Sequence, residues 1–190
     1  MSNLLIDEQN NIISESHQKY LYDLVTDIKF DWHHLDDVTF ERTIDGTKTV
    51  PGFCNMIYQN GCSNQWFDVF YPILNEYLNR SGYQLNTLLR MRMGFLLNTV
   101  YSMPHLPYSY NNPHIDFEEP HFVGLYYLNT TDGDTVIFNE TEKLQKYTVK
   151  KRIKPEMGKF VCFDGKQYHA STCPKVNTKR IVLTFNFSVK

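Results

Sequence analysis

The chain has 190 residues, a formal net charge of −2, 42% hydrophobic and 21% charged residues. That length suits a single domain with a core that needs no disulfide staples, and the composition excludes a disordered chain. No apolar run approaches the ~20 residues of a transmembrane helix, and the near-neutral charge gives no reason to expect nucleic acid or a membrane as partner. The opening Met1-Ser2-Asn3-Leu4-Leu5-Ile6-Asp7 lacks the basic region and long apolar stretch of a signal peptide. Cys54, Cys62, Cys162 and Cys173 form no Cys-x-x-Cys pair, so reduced thiols in a cytoplasmic protein are expected. Thirteen Phe and thirteen Tyr stand against one alanine, Ala170.

In chain order, Leu21, Leu24, Val25 and Ile28 recur at helical spacing, with Ser14 or Ser16 as N-cap. A second helical face carries Trp66, Phe70, Ile73, Leu74 and Tyr77 and stops near Gly82; Pro72 implies a kink or a start there. From Leu85 the period changes to two. Leu85, Thr87, Leu89, Met91, Met93, Phe95 and Leu97 alternate with Asn86, Leu88, Arg90, Arg92, Gly94, Leu96 and Asn98 in one long strand. Short strands follow at about His121–Asn129, Thr135–Asn139, Tyr147–Ile153, Lys159–Phe163, Tyr168–Thr172 and Arg180–Val189, separated by turns at Asp132-Gly133, Pro155 to Gly158 and Asp164-Gly165. The expected fold is α+β, mainly β: a jelly-roll core braced by N-terminal helices. One domain is expected over 1–190, with helical support and a substrate side in 1–84 and the catalytic core in 85–190.

Pro113-His114-Ile115-Asp116 carries the chemistry. In extended chain, side chains two apart share a side, so His114 and Asp116 converge as a mixed N/O pair suited to a divalent first-row metal. His169, after the Asp164-Gly165 turn, is positioned to add a second imidazole. Two His and one carboxylate form the facial triad of non-haem Fe(II) oxygenases. The tripeptide alone is weak, since His34-Leu35-Asp36 repeats it; that copy reads as a solvated loop, and His105 and His121 as surface or second-layer residues. The last strand adds weight. Arg180, Val182, Thr184 and Asn186 share one face; Ile181, Leu183, Phe185 and Phe187 share the other. If the apolar row packs inward, Arg180 faces a cavity, where a guanidinium grips a carboxylate, and Thr184 stands beside it for the same carboxylate. Taken alone, this strand equally suits an arginine paired at the surface.

Taken together, His114-x-Asp116, His169, Arg180 eleven residues later, Leu125-Tyr126-Tyr127-Leu128-Asn129, the turn and strand Asp132 to Phe138, and Pro155-x-x-Gly158-x-Phe160-Val161 resemble the 2-oxoglutarate- and Fe(II)-dependent dioxygenases, nearest the prolyl-hydroxylase branch. The resemblance runs from about Arg90 to Phe187. It implies a double-stranded β-helix of the cupin-like kind and Fe(II) on His114, Asp116 and His169. It further implies 2-oxoglutarate anchored by Arg180 with Thr184 and Tyr127 assisting, dioxygen as oxidant and ascorbate as supporting reductant. The implied reaction is decarboxylation of 2-oxoglutarate coupled to hydroxylation of a C–H group in a prolyl-type peptide or protein, or an amino-acid-like molecule. One departure stands out: Asp134 occupies the place of the family's second turn glycine.

Two rivals are carried forward: a nucleic-acid demethylase of the same chemistry, and a metal-binding jelly roll without turnover. The segment from Tyr101 to Asn112 reads as a rim before the metal motif. The basic run Lys143, Lys146, Lys150, Lys151, Arg152 and Lys154 reads as a solvated edge strand. Arg90 and Arg92 face either the cavity or an ion-paired surface.

Overall fold

The computed structural model describes residues 6–38, 50–98 and 110–190. Its elements in chain order are β1 (Asp7–Gln9), α1 (Glu15–Thr26), β2 (His33–Leu35), β3 (Gly52–Gln59), β4 (Cys62–Ser63), α2 (Phe67–Ser81), β5 (Leu85–Leu97), β6 (Phe122–Tyr127), β7 (Thr135–Phe138), β8 (Val149–Ile153), β9 (Phe160–Asp164), β10 (His169–Ser171) and β11 (Lys179–Val189). They build two antiparallel sheets. The major one runs β1-β9-β6-β11-β5-β3-β2, with β4 on β3; the minor one runs β10-β7-β8. Two facing antiparallel sheets make the jelly roll, and both helices brace one side of it.

The helices follow their local signals. Ser14 caps α1 by accepting the His17 N–H, and Leu21 and Val25 are its buried residues along with Gln18. Ile28 falls beyond the helix and is exposed. Helix α2 runs through Pro72 and stops at Gly82, whose φ of 70° suits glycine; the next N–H, of Tyr83, returns to the Leu78 carbonyl.

Register shifts account for where alternation fails. On β5, Arg90 pairs with Asn186 and Leu88 with Phe187, so Leu89 is an extra residue. Below it the parity flips, so Leu88 packs on the core, and a further shift between Ser188 and Val189 brings Leu85 to the same side while Thr87 is exposed. Above it Met91 and Met93 are buried as the alternation predicts. Another shift, at Ile57, breaks the period in β3. The first half of the chain is therefore more than helical support, because β3 lies beside β5 within the major sheet.

One apolar cluster joins the helices to the major sheet, with Leu21, Phe70, Ile73 and Tyr77 against Met91, Phe160, Ile181, Leu183, Phe185 and Phe187. A second lies between the sheets, where Val123, Leu125, Tyr127, Val161 and Val182 meet Ile137 and Ile153. Gly124 lets the rings close over the major sheet, since a Cβ there would come within 2.6 Å of the Phe160 ring. Residues of β8 are exposed through Arg152, with Lys151 paired to Glu8 and Arg152 to Asp134. Among the described residues no helix is long and apolar enough to cross a membrane.

Phe185 is fully buried at the centre of β11 and lies against Phe160, ring centroids 6.0 Å apart. Phe185→Ala is expected to cost about 3–5 kcal/mol, measured as a lowered midpoint in chemical denaturation.

Candidate metal centre and anion pocket

Backbone pairing brings the two histidines together. His114 lies outside any strand but forms an isolated antiparallel bridge with His169, each N–H donating to the other's carbonyl at 3.0 Å. Residues opposed in this way carry their side chains side by side, and the ring centroids are 4.6 Å apart. Each Nδ1 lies against the carbonyl two residues earlier, Asn112 O at 3.0 Å and Gln167 O at 3.2 Å. With Nδ1–H donating there, the Nε2 lone pairs are left for a metal. Those Nε2 atoms face Asp116, at 4.0 Å from Oδ1 for His114 and 3.9 Å from Oδ2 for His169. The three side chains offer ligand atoms that all lie within 4.8 Å of one another. Two neutral imidazoles and one carboxylate suit a divalent first-row cation.

Asp116 is held from both sides. Arg90 Nη2 donates to Oδ1, Asn186 Nδ2 donates to Oδ2 at 2.8 Å, and Arg90 Nε donates to Asn186 Oδ1 at 3.0 Å. The guanidinium also lies over the Phe117 ring, 5.0 Å from its centroid. Burial alone would raise the Asp116 carboxyl, yet Arg90, and after it His169 and His114, hold it well below the usual carboxylate range. Burial, reinforced by His114, lowers His169 to about 4. The centre is thus set up with an anionic carboxylate and a neutral buried imidazole.

Arg180, Val182 and Thr184 line one wall of a cavity of about 680 Å³, its mouth included, which His114, Asp116 and His169 also line. Arg180 is buried; its Nε donates to Gly133 O and its Nη2 to Thr135 Oγ1, both at 2.9 Å. Among the described residues no carboxylate forms an ion pair with it. Gly133 is required here, since a Cβ would meet the Thr172 carbonyl oxygen at 2.8 Å and Arg180 Cδ at 3.0 Å. Tyr127 is fully buried between the sheets. Its phenol donates to Thr135 Oγ1 at 2.8 Å, and the Arg180 guanidinium lies 5.8 Å from its ring centroid. Asp134 takes no left-handed conformation, so the turn forms without a second glycine. Leu35, Phe53, Cys54, Arg92, Phe95 and Leu96 line the rest of the cavity.

The second His-x-Asp copy gathers no third ligand: the side chains of His34 and Asp36 are 58% and 99% exposed. His121 is buried, with its ring against Gly165 and Phe117, outside the cluster. His105 and the rim up to Ser109 lie outside the described residues. Arg90 is ion-paired with Asp116. Sequence reasoning gave no role to Asn186 or Thr135, although Asn186 shares its strand face with Arg180 and Thr184.

No protein-family model matches the chain, and no curated protein matches it in sequence. Its fold is that of the 2-oxoglutarate/Fe(II) oxygenases. Among solved structures it is similar to a prolyl hydroxylase from Trichoplax adhaerens, solved with a hypoxia-inducible-factor oxygen-degradation-domain peptide fragment (TM-score 0.62, 12% identity, 96% of this chain and 82% of that one). It is also similar to a prolyl-4-hydroxylase from Pseudomonas putida (TM-score 0.58, 14% identity, 96% and 91%). A third match is the alpha-ketoglutarate-dependent epimerase SnoN of nogalamycin biosynthesis (TM-score 0.62, 10% identity, 96% and 77%).

The lowered His169 value gives a pH prediction. Between about 4 and the ordinary 6.5, the unfolded chain binds a proton that the folded, metal-free protein refuses. Stability therefore falls as pH drops through that window. His169→Asn is expected to flatten this part of the profile, checked by denaturant titrations at about pH 7, 5.5 and 4.

Proposed function

We propose that the chain is a non-haem iron oxygenase that couples oxidative decarboxylation of 2-oxoglutarate to hydroxylation of a C–H group. The observation that carries this reading is one cavity lined by both a His₂Asp cluster and a buried arginine, Arg180, that has no carboxylate partner among the described residues. In this reading His114, Asp116 and His169 hold Fe(II), and Arg180 with Thr184 holds the distal carboxylate of 2-oxoglutarate. The bound iron, with dioxygen and 2-oxoglutarate, supplies the oxidising chemistry: one oxygen atom ends in the hydroxyl product and the other in succinate, with release of carbon dioxide.

The chain's own residues bind, orient and exclude. Arg90 and Asn186 keep Asp116 ionised and fix its rotamer. The carbonyls of Asn112 and Gln167 fix the imidazole tautomers. Phe53, Phe95 and Leu96 give the cavity an apolar side from which water is expelled when a substrate fills it.

The substrate we favour is a prolyl-type peptide or protein, or an amino-acid-like molecule. The fold similarity to two prolyl hydroxylases, one solved with a peptide, supports that choice. A nucleic-acid demethylase would need an electropositive groove. The net charge is −2, and Lys151 and Arg152 of the β8 basic run are paired with Glu8 and Asp134.

Succinate release from 2-oxoglutarate with Fe(II), ascorbate and air tests the reading. Wild type is expected to turn over slowly alone and faster with proline-rich peptides. No succinate and no iron-dependent 2-oxoglutarate binding would leave a metal-binding module without turnover. Stimulation only by methylated oligonucleotides would mark the demethylase. Arg180→Ala is expected to raise the KM for 2-oxoglutarate about ten- to a hundred-fold, as loss of a charge-assisted hydrogen-bond pair does, with metal binding retained in a Mn(II) titration. An unchanged KM would remove Arg180 from this role.

A further inference from the structure

Among the described glycines, all but one are explained by the backbone or its packing. Gly61, Gly82 and Gly158 have positive φ, and at Gly52, Gly124, Gly133 and Gly165 a Cβ would come within 2.8 Å of another atom. Gly94 is the exception. Its φ is not positive, and a Cβ there would meet only Val182, at 3.8 Å, an ordinary contact. Yet it sits in the interior of the 13-residue strand β5, paired on both sides, with Val182 of β11 and Cys54 of β3. Glycine weakens a strand interior, and in such a place it often marks a point where a ligand or another backbone comes close. The only backbone atom within 4 Å of that Cβ is the Val182 carbonyl oxygen of the same sheet; the space above is the cavity, which Gly94, Val182 and Cys54 all line.

Directly opposed residues of neighbouring strands carry their side chains side by side, about 5 Å apart. The next side chains on this face of β5, Arg92 and Leu96, stand roughly 7 Å away in either direction. The row Cys54, Gly94, Val182 therefore has a clearing in its middle, one side chain wide. Because β5 is paired on both sides, its peptide groups are committed to the ladder, so the clearing offers contact area and no hydrogen bond. Val182 and Leu96 bound it with apolar side chains, and the Cys54 thiol behaves as a small hydrophobe. A group rich in C–H gains from burial there, whereas a polar one would lose its water without replacement.

We propose that Gly94 is the seat of the second substrate: a small saturated ring, of prolyl size, lies on the β5 backbone, and the missing side chain sets how large that ring can be. The inference rests on the reading that 2-oxoglutarate occupies the wall of Arg180 and Thr184. Val182 stands between those two on the same face of β11, and Gly94 is directly across from it. Co-substrate and ring then lie side by side on neighbouring strands. Gly94 is thus a specificity-determining residue that acts by leaving room.

The test uses the full chain loaded with Mn(II) and 2-oxoglutarate in the absence of dioxygen. Calorimetry follows two probes: a proline-rich peptide, and the same peptide with the six-membered pipecolyl ring in place of prolyl. Gly94→Ala, which adds one methyl, is expected to weaken the pipecolyl peptide more than the prolyl one. Gly94→Val is expected to weaken both about ten-fold or more, as overfilling a packed space does. Affinity for 2-oxoglutarate is retained in both variants. The denaturation midpoint of Gly94→Ala is expected to equal or exceed that of wild type, because alanine suits a strand interior better than glycine where nothing obstructs its methyl. If Gly94→Val fails to fold, the graded loss in Gly94→Ala decides.

A lowered midpoint in Gly94→Ala would assign the glycine to the fold, and equal losses of 2-oxoglutarate and peptide would assign the space to the co-substrate; either result overturns the inference. Peptide affinity that survives Gly94→Val unchanged would overturn it too, as would a wild type that binds 2-oxoglutarate but neither peptide. In those two cases the reading of the cavity as a 2-oxoglutarate site stands. A wild type that binds no 2-oxoglutarate would sink that reading and this inference with it.

Discussion

The centre of this structure depends on keeping one buried carboxylate ionised. Asp116, with its side chain 5% exposed, would be driven towards its protonated form by burial alone. A protonated carboxyl would be a poor ligand for a divalent cation. Arg90 prevents this with a cation in direct contact, and Asn186 occupies the other oxygen. Such a buried pair is a weak argument for stability, because the desolvation of both charges offsets most of the attraction. Its value lies in orientation: the carboxylate is fixed between His114 and His169 before any metal arrives.

That arrangement requires β5 and β11 to be neighbours in one particular register. Arg90 and Asn186 are directly opposed across the two strands, and the extra residue Leu89 follows immediately in the ladder. The bulge lets Met91 and Met93 face the core above this point while Leu88 faces it below. Without the extra residue, the row that buries Leu88 would also send Arg90 into the apolar cluster. Bulges are frequent next to functional sites because they re-aim side chains, and here the side chain re-aimed is the one that holds Asp116. Strand β11 divides its labour in the same way, with four apolar side chains in the core cluster on one face and Arg180, Thr184 and Asn186 towards the cavity on the other.

Much of this was legible in the sequence wherever a period persisted. The strict alternation of β11 predicted both of its faces, and turn residues bounded the strands from β6 onward. His114, Asp116 and His169 were chosen from the His-x-Asp spacing and the strand following a turn, and the structure brings those three together. The short strands β1, β2 and β4 hold two or three residues each and carry no period. Strand β3 was hidden because its shift at Ile57 breaks the alternation. The partners of Asp116 were hidden for another reason. Arg90 and Asn186 lie 26 and 70 residues away along the chain, and cross-strand register is set by the whole sheet, which no local pattern records. Thr135 was missed because its importance comes from two bonds that exist only once β7 faces β6 and β11.

The cavity is chemically lopsided, and this limits what can react in it. Among the described residues its charged and hydrogen-bonding side chains include the His114, Asp116 and His169 cluster, Arg180, Thr135, Thr184, Ser171 and Arg92. In the proposed reading the cluster, Arg180 and Thr184 are occupied by iron and the 2-oxo acid. A second substrate then meets chiefly Leu35, Phe53, Phe95 and Leu96, with Arg92 as a charged group on the cavity wall. Apolar side chains offer no hydrogen bond to a polar reacting group, so a polar substituent directed at them would lose its water without replacement. A C–H-bearing ring or chain loses nothing there and gains burial. The aromatic contacts run on from Phe95 to Trp32 and from Phe53 to His34, extending this apolar wall. In the proposed reading the same cavity is polar where the co-substrate is oriented and apolar where a C–H bond is presented, the division that a hydroxylase of unactivated carbon requires.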